Sequence, residues 1–119
     1  MSEVLATAPA AAEGGIPQTG FVSRRFHFVG VAGSGMSGLA RLLAGIGGDV
    51  TGSDHGGGAV LRLLGDEGHT VWTGSHPERL HGRDGYVIRS AAVPSDDPEV
   101  QQCVRLGFTS LLYAEAVGR

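Results

Sequence analysis

Phe26-His27-Phe28-Val29-Gly30-Val31-Ala32-Gly33-Ser34-Gly35-Met36-Ser37-Gly38-Leu39-Ala40 is the stretch whose reading decides the fold. Phe26, Phe28, Val29 and Val31 form a short apolar run of aromatic and β-branched residues, the composition of a buried strand. Gly33, Gly35 and Gly38 then fit G-x-G-x-x-G at the point where strand gives way to helix. Glycine permits a tight turn there and lets backbone N–H groups approach a ligand with no Cβ in the way. The helix that follows directs its positive N-terminal end into the same gap, where a pyrophosphate is stabilised. By itself G-x-G-x-x-G is a weak signal; flanked by strand and helix it carries more, against the alternative of a glycine-rich turn that binds nothing.

Outward from this turn the chain alternates strands and helices. The first strand covers about residues 25–31, and a helix over 34–46 places Met36, Leu39, Leu42, Leu43 and Ile46 at helical spacing. A second strand at 49–54 ends in Asp54, a helix follows over 59–67, and a third strand over 69–73. Residues 74–85 are polar and turn-rich, with at most one helical turn at 77–80. A fourth strand at 85–89 leads into the loop Ser90-Ala91-Ala92-Val93-Pro94. Asp96 or Asp97 caps the next helix, with Pro98 in its first turn and Val100, Cys103, Val104 and Leu106 facing inward. A fifth strand at 108–112 precedes the start of another helix at 113. Short connections and this alternation predict a Rossmann-like α/β fold, a doubly wound parallel sheet of about five strands in the order 3-2-1-4-5. A ligand then sits outside the carboxyl ends of the strands at the switch point, a rim that gathers residues 32–37, 53–54, 73–76 and 90–93.

Composition narrows the function. With 119 residues and 41% hydrophobic content there is material for one compact domain. The net charge of −3 supplies no general attraction to nucleic acid or membrane, and no apolar run approaches the ~20 residues of a membrane span. The single cysteine, Cys103, rules out an internal disulfide and suits a reducing compartment. The chain has no lysine: all nine basic residues are arginine. That excludes a lysine-containing P-loop and any Schiff-base chemistry within it. Residues 1–22 are rich in Ala, Gly and Pro without periodicity and read as a disordered leader. Residues 23–119 read as the domain.

Asp54 lies where dinucleotide-binding proteins keep an acid for ribose hydroxyls, or else it is a solvated loop aspartate. The small residues of Ser90–Pro94 leave room for a ring and expose backbone groups, or form an ordinary loop. None of the five histidines makes a metal-ligand pair. His27 reads as a structural histidine, whereas His55 and His76 fall on the rim. Cys103 reads as a small buried hydrophobe rather than a nucleophile.

Taken together, His27–Ala40, Gly52-Ser53-Asp54, Ser90–Pro94 and Asp97-Pro98-Glu99 resemble the N-terminal domain of the Mur ligases, over about residues 24–117. Within that family they are most similar to the branch that joins L-alanine to UDP-N-acetylmuramate. Tyr113-Ala114-Glu115-Ala116 resembles the family's exit helix. The resemblance implies a cytoplasmic three-domain enzyme of peptidoglycan synthesis. Its first domain binds the UDP-sugar, its central domain binds ATP and magnesium, and its third receives the amino acid. The lactyl carboxylate is activated as an acyl phosphate and attacked by the amine. By position, Ala32, Gly33, Ser34, Gly35, Met36 and Ser37 would hold the pyrophosphate, Ser53 and Asp54 would lie near the uridine end, and Ser90, Ala91, Ala92 and Val93 near the uracil. His76, or Ser75, falls in the family's loop after strand three, here one residue longer. No catalytic residue, metal or cofactor is expected in this domain, whose partners would be UDP-N-acetylmuramate and the enzyme's other domains. The chain would be an excised domain or a standalone relic, inactive alone. A bulky residue at Gly35 is expected to abolish binding while leaving the fold intact. Other readings stay open: a sibling ligase adding a recycled peptide, the NAD-binding domain of a dehydrogenase, or a non-catalytic Rossmann module.

Overall fold

The computed structural model describes residues 24–118, so the expected leader lies outside the described residues. Five strands, β1 (Arg25–Val29), β2 (Asp49–Asp54), β3 (Thr70–Thr73), β4 (Tyr86–Arg89) and β5 (Thr109–Leu112), form one sheet of order β3-β2-β1-β4-β5. Every neighbouring pair is parallel. The helices are α1 (Met36–Gly45), α2 (Gly58–Asp66), α3 (Pro98–Arg105) and α4 (Tyr113–Ala116). The expected topology and strand order are thus the observed ones. Between β3 and β4 the chain makes only a 3₁₀ turn, Pro77–Arg79.

Alternation along the strands assigns the two faces. Phe26, Phe28, Tyr86 and Ile88 point to the side covered by α1 and α2, where they pack with Met36, Leu43 and Leu64. Phe26 and Tyr86 stack with ring centroids 5.6 Å apart. Val29 and Val87 point to the other side and meet Val100, Cys103 and Phe108. Each of these side chains contributes roughly 1.5–3 kcal/mol of burial. Not every apolar position at helical spacing reaches the core: Leu42 is 60% exposed and Ile46 41%. Val104, expected to face inward, is 46% exposed, because α3 turns Val100 and Cys103 toward the sheet and one apolar residue too many remains. Asp97, rather than Asp96, caps α3: its Oδ1 accepts from the N–H groups of Glu99 (2.8 Å) and Val100 (3.2 Å).

Helix α1 starts two residues later than periodicity predicts, and the reason is Gly35. Its φ of 81° is left-handed, so it caps the helix from outside instead of joining it. A Cβ at this position would stand 2.7 Å from Tyr113 Cζ and closer still to the hydroxyl, since the first residue of α4 lies across the turn. The expectation that a larger residue leaves the fold intact is therefore corrected. Gly35→Ala combines a disfavoured φ with a steric overlap and is expected to lower unfolding free energy by about 1–3 kcal/mol in urea titration. Gly38→Ala, which meets nothing within 4 Å, should leave stability unchanged or raise it by up to about 1 kcal/mol.

Candidate functional site

The carboxyl ends of β1, β2 and β4 open into a cleft of about 310 Å³, floored by Gly30, Gly33 and Ser53 and flanked by Asp54, Ser90 and Val93. The glycine-rich turn is built by its own backbone. The N–H groups of Gly30 and Val31 donate to Ser53 O at 2.9 and 3.0 Å, Gly33 N–H to Gly30 O at 2.9 Å, and Met36 N–H to Gly33 O at 3.0 Å. Beyond it α1 has no side-chain cap and no acid in its first turn. The N–H groups of Ser37 and Gly38 have no acceptor among the described residues. A helix N-terminus left in this state carries partial positive charge and open donors, which suits an anion.

Asp54 has a different immediate task from ribose recognition. Its Oδ1 accepts from Gly56 and Gly57 N–H, both at 2.9 Å, and its Oδ2 from Ala32 N–H at 3.0 Å. The carboxylate thereby staples the loop after β2 to the glycine turn. The approach is so close that a Cβ on Gly57 would overlap the methyl of Ala32. Three of its roughly four acceptor positions are used internally.

The other expected site residues divide by what they still present. Ser34 and Gly35 are exposed and Ser37 is half-buried, and of the expected turn residues only Gly33 lines the cleft. Met36 is 1% exposed, so its side chain belongs to the core and only its backbone lies in the turn. Ser53 is 3% exposed and its side chain faces inward. Ala91 and Ala92 are exposed, and Val93 N–H closes a turn on Ser90 O at 3.0 Å. Arg89 holds that loop by donating from Nη1 to Val93 O at 2.7 Å. His76 is half-buried, with Nδ1 3.1 Å from Glu78 Oε2. Cys103 is fully buried, and desolvation, with the nearby charges of Glu99 and Asp97, pushes its thiol up to about 12. Among the described residues no group of three or more His, Cys, Asp and Glu stands where it could hold a metal.

The residue that sequence reasoning missed is Glu99. It is 1% exposed and accepts four hydrogen bonds. His27 Nε2 (2.7 Å) and Ser53 Oγ (2.5 Å) donate to Oε1; Trp72 Nε1 (2.8 Å) and His76 N–H (2.7 Å) donate to Oε2. The sheet register prepares this convergence. His27 lies beside Thr51, and Ser53 beside Trp72, all on the face that α3 covers. His27 Nδ1 meets Thr51 Oγ1 at 2.7 Å, and its ring stacks on Trp72 with centroids 5.3 Å apart. Burial alone would raise the Glu99 pKa; the bonds from His27, His76, Ser53 and Trp72 outweigh it and hold the group at about 2. An ionised carboxylate can only accept, so His27 carries its proton on Nε2. In the sequence Glu99 stood out only as part of Asp97-Pro98-Glu99, with no role of its own, and as an acid in the first turn of a helix, a position that ordinarily signals the helix dipole.

Because Glu99 titrates lower in the folded chain than in the unfolded one, its stabilisation is complete above the ordinary pKa of 4.5 and is lost as pH falls toward about 2. Glu99→Gln leaves buried donors facing an amide. It is expected to lower unfolding free energy by roughly 2–5 kcal/mol near pH 7. Urea titrations across pH should show this difference narrowing steadily below about pH 4.5; a constant difference would mean that the charge of Glu99 contributes nothing.

Among the described residues no helix is long and apolar enough to cross a membrane. The family model described as "Mur ligase family, catalytic domain" matches residues 25–119. A UDP-N-acetylmuramate–L-alanine ligase of Halorhodospira halophila is 47% identical over 78 residues, covering 66% of this chain and 16% of that protein. Its namesake in Solidesulfovibrio magneticus is 43% identical over 92 residues, 77% of this chain and 20% of the relative. The crystal structure of the UDP-N-acetylmuramate-alanine ligase of Thermotoga maritima superposes with a TM-score of 0.64 at 28% identity, over 74% of this chain and 20% of that one. The chain thus spans about a fifth or less of the length of these relatives. With the family model covering all but the first 24 residues, the chain belongs to the Mur ligase family.

Proposed function

We propose that this chain is the UDP-N-acetylmuramate-binding N-terminal domain of a cytoplasmic UDP-N-acetylmuramate–L-alanine ligase of peptidoglycan synthesis. The observation that carries the reading is the uncapped N-terminus of α1, with Ser37 and Gly38 N–H lacking acceptors among the described residues, next in the chain to a glycine turn whose Gly30 and Gly33 line the cleft. It occurs in a chain whose relatives bear that enzyme's name. The diphosphate would lie across residues 33–38, and the nucleoside would extend toward the Ser90–Val93 loop. That loop presents small side chains and a backbone braced by Arg89.

The chain's own part is to bind and orient. Open donors at a helix end neutralise a diphosphate without a cationic side chain, consistent with a sequence that has no lysine. ATP, with its magnesium, and the amino acid would be handled by the portions of the ligase that this chain does not span. Asp54 supports the UDP-sugar over NAD, since its carboxylate is occupied by Ala32, Gly56 and Gly57 N–H rather than open to a ribose. A buried Cys103 and no other cysteine suit a reducing compartment.

Titration calorimetry with UDP-N-acetylmuramate and with NAD tests the reading. Heat of binding is expected with the UDP-sugar and none with NAD. Binding of NAD without a response to the UDP-sugar would assign the cleft to a dinucleotide instead.

A further inference from the structure

Tyr113 is the first residue of α4 and follows β5 directly. Its ring returns to the glycine turn and lies against Gly35, close enough that no side chain fits between them. The contact joins the glycine turn between β1 and α1 to the last helix of the described residues. Half of the tyrosine is packing: the ring sits beside the core cluster of Met36, Ile88 and Ala116. The other half is unused. The hydroxyl makes no hydrogen bond among the described residues, and it is not among the buried polar atoms left without a partner, so it keeps access to solvent.

The position of that hydroxyl gives it chemical meaning. It stands over Gly35, the residue immediately before the first turn of α1, where Ser37 and Gly38 N–H are open. The turn from Ala32 to Gly38 contains no cationic side chain. A phenolic O–H at this spot is a fixed donor on a ring with two torsions. It can meet an anion already held by backbone N–H groups, at little entropic loss. We propose that Tyr113 is a substrate-contacting residue whose hydroxyl donates a hydrogen bond to the diphosphate of the bound nucleotide. This inference rests on the reading of the cleft as a UDP-sugar site.

The test is Tyr113→Phe in the full 119-residue chain, which keeps the ring against Gly35 and removes only the donor. Amide chemical shifts are followed by NMR during titration with UDP and, separately, with uridine, and thermal unfolding is followed by circular dichroism. The expected result is a rise in the UDP Kd of roughly tenfold to a hundredfold, the range for a hydrogen bond to a charged group. The uridine Kd and the melting temperature should not change. A UDP Kd within twofold of the parent chain overturns the inference and leaves the site reading standing. Equal losses for UDP and uridine also overturn it, because the tyrosine then acts through the fold. A parent chain that responds to neither UDP nor UDP-N-acetylmuramate overturns the site reading itself, and the role of Tyr113 falls with it.

Discussion

A single buried carboxylate holds the working end of this domain together. Glu99 sits under the rim with four donors on its two oxygens, drawn from β1, β2, β3 and the loop after β3, while its own backbone belongs to α3. An ionised carboxylate without partners at that depth would be strongly destabilising, and truncating a partner would leave a charge or a donor stranded. The arrangement is therefore nearly all-or-none. When it is complete, Ser53 is fixed, and Ser53 O in turn receives the N–H groups of Gly30 and Val31 that begin the glycine turn. The floor of the cleft is thus set by a carboxylate that is almost wholly buried beneath it.

Acids elsewhere on the rim follow the same logic. Asp54 and Asp97 each spend their lone pairs on backbone N–H groups, one joining the β2 loop to the glycine turn and the other capping α3. An acid beside an anion site would repel the ligand if its charge were free. Pairing with several N–H groups spreads that charge over peptide dipoles. Among the described residues the N–H groups of Ser34, Gly35, Ser37 and Gly38 have no acceptor, at a helix start with neither a side-chain cap nor an acid in its first turn.

The architecture was readable from local patterns, and the site only in part. The apolar run of β1, the glycines after it and the regular return of strands determine a parallel sheet, because each is a property of neighbours in sequence. The same patterns located the turn at 32–37, the loop at 90–93 and the cap of α3 by an aspartate. They did not reveal Glu99, because its meaning comes from partners 72, 46 and 27 residues away. Alternation did place His27, Thr51, Ser53 and Trp72 on one face. Nothing local says that the first turn of α3 lands over that face. Asp54 was visible as an acid at a strand end, and motif position suggested ribose. Only the geometry shows the carboxylate turned back onto Ala32. Gly35 was similarly ambiguous: a glycine kept for a ligand and one kept for a tyrosine look alike in sequence.

These long separations have a thermodynamic consequence. The glycine turn is a short local segment, yet it is braced by Ser53 and Asp54 from β2, by Glu99 through Ser53, and by Tyr113 from the far end of the chain. Each brace closes a large loop, and the entropy of closure is met only when the whole sheet forms. A peptide containing residues 26–40 has the same glycines and the same potential N–H donors. It lacks the contacts that hold them at one spot, so ordering them would have to be supplied by the ligand itself. In the folded domain that ordering is already complete. The geometry of the turn is accordingly a property of the closed sheet, and the motif contributes only the absence of side chains where the braces must approach.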